Sequence, residues 1–134
     1  NGTCYKESDF RVPTEVLKNT PALHEPIEAF LPHLGRSHML RFGAGGFFPF
    51  HRDSQKLGSS TFRIIALLNG CDISQFCFLF ENQRIFLQSN RLYFLNTKIE
   101  HAVMCFGECA TMMVLNVNLS ADSIDCVMKS LLAR

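Results

Sequence analysis

Three residues have the types and spacing for metal chemistry: His51 and Asp53 in the run RFGAGGFFPFHRD (41–53), and His101 in RLYFLNTKIEHAV (91–103). Positions i and i+2 of a strand share one face, so His51 and Asp53 would send an imidazole and a carboxylate into one space. A third imidazole about fifty residues on, also at a strand edge, would complete two histidines and one carboxylate around one side of an ion. Such a set leaves the opposite side open and suits a non-haem iron(II) centre. Arg52, between the two ligands, is predicted on the other face of the strand, away from the metal. Phe47, Phe48 and Phe50 flank the ligands and are expected to wall the pocket against water.

The elements that must position these residues follow from hydrophobic period and punctuation. Gly43, Gly45 and Gly46 mark a turn before the ligand strand. From Ser37 onward, alternation and short apolar runs predict strands at 38–43, 47–53, 62–69, 75–81, 83–88, 91–95, 101–106 and 110–119. Asn82 with Gln83 and Ser89 with Asn90 read as tight turns. Before the strands, a helical lead over 13–34 starts at Pro13 and is interrupted by Pro21 and Pro26, which predicts helices at 14–19 and 22–32. An arm or short strand ending at Phe10 to Val12 precedes this lead. A C-terminal helix over 120–133 opens with Ser120 as N-cap and carries an apolar stripe of Ile124, Val127, Met128, Leu131 and Leu132. The whole is one mainly β domain, 1–134, with flanking helices; eight short strands at 38–119 suggest a jelly-roll or barrel-like sandwich.

With 134 residues and 47% hydrophobic content there is material for one cored domain and not two. A net charge of +1 supplies no basic field for nucleic acid. No apolar window reaches membrane-spanning length and the N-terminus has no hydrophobic signal core, so a soluble, cytoplasmic protein is expected. Of the six cysteines, Cys77, Cys105 and Cys109 lie in or beside apolar strand-like runs and are read as reduced thiols; Cys105 and Cys109 have no second Cys/His pair nearby for zinc. His24, His33 and His38, isolated in polar settings, are read as surface or helix-end residues.

His-x-Asp followed by a lone distal His, with a Gly-rich lead-in and an Asn-Thr-x-x-Glu-His edge, resembles the iron(II)- and 2-oxoglutarate-dependent oxygenases with a double-stranded β-helix core. Across Met39 to Leu119 the chain looks most like their prolyl hydroxylase and aspartyl/asparaginyl hydroxylase branches. The resemblance implies Fe(II) on His51, Asp53 and His101, with 2-oxoglutarate and O2 as co-substrates and hydroxylation of a small molecule or, by slight preference, an amino-acid or peptidyl side chain. It also implies a cation for the far carboxylate of 2-oxoglutarate, in relatives usually an Arg about ten residues beyond the distal His. That place is Thr111 here. Arg63 in STFRIIALL is the first substitute and Arg41, just before the Gly-rich turn, the second; Asn96, Thr111, Asn116 and Asn118 are candidates for neutral hydrogen bonds. With little room for a lid, a second protein or a homodimer would help to form the substrate site. Two rival readings stand beside this one: a cupin-type metal-binding β-sandwich that does not use 2-oxoglutarate, and a metal-free interaction module.

Overall fold

The computed structural model describes residues 9–10, 12–53, 61–69 and 72–132. Two four-stranded antiparallel sheets face each other. One has the order β1 (His38–Gly43), β8 (Cys109–Asn118), β3 (Thr61–Asn69), β6 (Tyr93–Leu95). The other runs β2 (Phe47–His51), β7 (His101–Cys105), β4 (Phe76–Phe80), β5 (Gln83–Ile85). Distant strands therefore pair within each sheet, as they do in a jelly roll, and the mainly β sandwich read from the sequence is the fold observed.

β3 and β8 read as near-continuous apolar runs because both of their faces are covered. Ile65, Leu67, Ala110, Met112 and Val114 point between the sheets, against Phe76, Phe78 and Val103 of the facing sheet. Ile64, Ala66, Met113, Leu115 and Val117 point outward and pack under Leu23, Ile27, Phe30 and Val127 of the flanking helices. Each of the Ile, Leu, Met, Val and Phe side chains among them contributes about 1.5–3 kcal/mol on burial, so these two strands anchor both layers.

The helical lead is more broken than predicted. α1 (Glu15–Lys18) and α2 (His24–Glu28) are joined and followed by 3-10 turns at Pro21–Leu23 and Leu31–His33. Pro21 and Pro32 each stand at the start of a 3-10 turn. The helix expected at 22–32 is thus divided, because a proline ring supplies no N–H to continue an α-helical ladder. α3 (Ala121–Leu132) begins as expected at Ser120: the Ser123 N–H donates to Ser120 Oγ at 3.1 Å and the Ser120 N–H to Ser123 Oγ at 3.0 Å, a reciprocal cap. Val127 is buried, whereas Met128 and Leu132 are exposed, so the apolar stripe covers the core only in part. The side chain of Leu131, residues 133 and 134, the arm over 1–8 and Arg11, and Cys4 and Cys71 lie outside the described residues.

Strand ends depart from expectation for local reasons. β5 stops at Ile85, not 88, because Leu87 turns into the core and the Gln88 N–H donates to Tyr93 Oη at 2.8 Å. The β4–β5 turn is Glu81–Asn82, one residue earlier than expected, since Gln83 already pairs with Phe80; Glu81 takes φ 53° there, and Asn90 takes φ 61° in the turn at Ser89 and Asn90. Cys77 and Cys105 are buried, and the Cys105 thiol donates to the Gly107 carbonyl at 3.4 Å.

Candidate metal centre

The Gly-rich turn sets the ligand strand in place. Gly45 has φ 74°, and a Cβ on Gly46 would stand 2.9 Å from the Gly43 carbonyl, so the turn closes only on glycine. The Gly45 N–H donates to the Cys105 carbonyl and the Cys105 N–H to the Gly46 carbonyl, both at 2.9 Å, which lashes the start of β2 to β7. The resulting register places His51 opposite His101, with ring centroids 4.3 Å apart. The register shifts between Phe48 and His51, and β2 ends at His51 rather than at 53. Asp53 lies just beyond and is held by its N–H, which donates to the Thr97 carbonyl at 3.0 Å. One ligand atom from each of His51, Asp53 and His101 lies within 4.8 Å of the others, and no other such cluster occurs among the described residues.

The two imidazoles are oriented by the same device. His51 Nδ1 lies 2.7 Å from the Pro49 carbonyl, and His101 Nδ1 lies 2.9 Å from the Ile99 carbonyl. A carbonyl only accepts, so each Nδ1 carries a proton, which leaves Nε2 as the nitrogen that a metal would take. His101 is buried and Phe78 stacks on it, rings 14° from parallel. Burial holds the His101 pKa below the ordinary imidazole value, against the Ile99 carbonyl, which raises it; His51 lowers it further. His101 therefore stands neutral with a lone pair available.

The carboxylate is equally poised. Asp53 Oδ1 lies 3.7 Å from His51 Nε2, and Asp53 Oδ2 lies 3.1 Å from Arg63 Nη2. Oδ2 is sealed from solvent and has charge contact without hydrogen-bond alignment. A buried carboxylate oxygen with no hydrogen bond is costly unless a cation meets it, and for Oδ2 Arg63 is that cation. Two imidazoles and the Asp53 carboxylate, whose Oδ1 faces His51 Nε2, are a donor set that fits a divalent ion.

A cavity of about 190 Å³ opens on this cluster, walled by apolar side chains such as Leu40, Ile65, Leu95, Val103, Met112 and Val114. Phe48 joins the wall, while Phe47 and Phe50 are exposed and take no part in it. Arg52 is exposed and does not line the cavity. Arg63 does line it: its Nε donates to Asn116 Oδ1 at 2.9 Å.

Arg41 is not brought to the cavity. It sits on the other face of β1, between Leu40 and Phe42 of the inner face, and its Nε donates to Cys109 Sγ at 3.2 Å. Thr111 shares the outward face of β8 with Met113, Leu115 and Val117, so no side chain at 111 points to the metal cluster. Asn118 Nδ2 donates to the His33 carbonyl and Asn96 Oδ1 accepts from the Lys98 N–H, both away from the cavity lining. His38 is exposed, as read from the sequence, and what that reading did not show is that it opens β1 and borders the cavity. Its even position, in step with Leu40 and Phe42, was the signal.

No family model matches the sequence, and no curated protein does. The fold does match solved structures. A predicted oxalate decarboxylase from Thermotoga maritima aligns with TM-score 0.52 at 14% identity, over 69% of this chain and 74% of its own. The cupin domain of Schizosaccharomyces pombe Cnp3 aligns with TM-score 0.50 at 8% identity, over 70% of this chain and 62% of its own. The fold is a cupin-like jelly roll. Within it, the metal-capable cluster lies at the inner face, where β2, β7 and β3 converge. No helix among the described residues is long and apolar enough to cross a membrane.

Proposed function

We propose that this cupin-like domain is a mononuclear metal protein in which His51, Asp53 and His101 hold a divalent ion and leave its cavity side open to a small ligand. The single observation that carries this reading is the convergence of ligand atoms from two imidazoles and one carboxylate within 4.8 Å of one another, each imidazole held through its Nδ1 by a backbone carbonyl. Asp53 and Arg63 already cancel in charge. A divalent ion on two neutral imidazoles would leave the cavity with an excess of two positive charges among apolar walls. The loaded site would then favour an anionic co-ligand, and Arg63, which lines the cavity, would meet it.

A narrower reading rests on that last feature. With Fe(II) as the ion and 2-oxoglutarate as the anion, the domain would be a dioxygenase that hydroxylates an amino-acid, peptidyl or small-molecule substrate, and bound iron would supply the oxidising chemistry. Within it, His51 and His101 contribute neutral donors, Asp53 the balancing charge, and Arg63 a fork that pairs with a carboxylate. The apolar walls keep water from the open side.

Anaerobic titration of metal-free protein with Fe(II), then 2-oxoglutarate, separates the readings. A visible charge-transfer band on adding 2-oxoglutarate, absent in His51→Ala, supports the dioxygenase. Tight Fe(II) binding with no band leaves the metal protein standing and removes 2-oxoglutarate from it. Failure to bind any divalent ion overturns both.

A further inference from the structure

Asn116 is buried on β8, yet every polar group it owns is engaged. Its N–H lies 3.2 Å from Ser37 Oγ, and its carbonyl accepts from the Gly35 N–H at 2.8 Å. Its side-chain Nδ2 donates to the Arg36 carbonyl at 2.8 Å, and its Oδ1 accepts from Arg63 Nε at 2.9 Å. Neither side-chain partner can change role, since a carbonyl only accepts and a guanidinium Nε only donates. Position 116 must accept on one side and donate on the other, which a carboxylate or an aliphatic group cannot do. With Nε tied, the Arg63 fork is aimed at Asp53, 3.1 Å away across the cavity wall.

We propose that Asn116 is the positioning residue of this site, holding the Arg63 guanidinium beside the metal ligands so that it meets a carboxylate on the ion's open side. The second half of this statement rests on the metal reading above; the first does not. Arg carries about 2 kcal/mol of rotamer freedom, and a hydrogen bond fixed before the anion arrives removes part of that cost from binding. Asn116 also joins the loop at Gly35 to Ser37, which leads out of the helical cover, to the cavity wall.

Two readouts test it. In metal-free protein, the Arg63 Nε–H should give a resolved, slowly exchanging proton NMR signal, identified by its loss in Arg63→Lys. That signal should vanish in Asn116→Leu and persist in Asn116→Asp, where a carboxylate oxygen still accepts. In Co(II)-loaded protein, with 2-oxoglutarate as the probe dianion followed through the Co(II) d–d absorption, Asn116→Leu should weaken the dianion about tenfold, the size of one hydrogen bond to a charged group. Co(II) affinity should stay within about threefold. The double variant Asn116→Leu/Arg63→Met should bind the dianion no worse than Arg63→Met alone, because a residue that acts through Arg63 has nothing left to position. An unchanged Nε–H signal in Asn116→Leu, or additive losses in the double variant, overturns the assignment. If the wild-type protein binds Co(II) but not the dianion, the dioxygenase reading falls, and the NMR signal alone decides whether Asn116 holds Arg63.

Discussion

The sheet of β1, β8, β3 and β6 has a hollow on each side, and the two differ in what lines them. The outer one, under the helical lead, measures about 430 Å³ and is walled mainly by apolar residues, among them Val16, Leu17, Leu23, Ile27, Met113 and Leu115. The inner one is less than half that size, yet holds two imidazoles, a carboxylate and a guanidinium within reach of one another. Size follows from how well helices cover a sheet; chemistry needs polar groups that converge. Alternation along β8 decides the matter: Met113 and Leu115 serve the outer hollow, and Met112, Val114 and Asn116 the inner. His38 borders both.

If this division is right, substitutions on the two sides should separate cleanly. The largest effect expected is on metal: His51→Ala or Asp53→Ala should lower Co(II) affinity by at least about a hundredfold, since removing a ligand exceeds the 10–100-fold cost of losing an outer partner. Circular dichroism should show the fold intact. On the outer side, Leu115→Ala should cost about 2–5 kcal/mol in urea unfolding and leave Co(II) affinity unchanged; a parallel loss of metal would mean that the hollows are not independent. Ser120→Ala, removing the cap of α3, should cost about 1 kcal/mol, again with no effect on metal.

A smaller effect comes from pH. Because the folded His101 pKa is depressed, the unfolded chain takes up a proton near its ordinary value of about 6.5 while the folded chain does not. Stability of the metal-free protein should therefore fall as pH drops through that value, and no His101 contribution should appear above it. His101→Gln should flatten this slope between pH 7 and 5. The smallest effect is a null: Thr111→Arg should not strengthen binding of a dianion to Co(II)-loaded protein, because position 111 faces outward. Tighter binding would show that β8 is misassigned in phase.

The same phase marks how far the sequence could be read. Arg63 stands inward on a strand whose apolar neighbours Ile65 and Leu67 mark the inner face, whereas His51 and Asp53 were legible from their i, i+2 spacing alone, since Phe47, Phe48 and Phe50 beside them are exposed. Arg41 and Thr111 are candidates only by their distance along the chain from a motif, and that distance does not carry side-chain direction. Counting in twos from Phe42 or Met112 would have set both aside and drawn in His38. The role of Asn116 could not be counted out at all, since it depends on Arg36 and Ser37, some eighty residues earlier in sequence. Proline spacing announced a broken lead but not its 3-10 turns.

Among the described residues β2 is an edge strand whose one neighbour in its sheet is β7, and its pairing begins at the glycine turn and ends at His51 and His101. An ion bound by His51 and His101 would join the open end of that pairing and close a loop of about fifty residues, as a cross-link does. Loading the site would then be felt as folding energy. The amides of β2 should exchange with solvent more slowly in the metal-bound protein, the outer edge of the sheet should resist proteases, and a chelator should loosen this strand before any other.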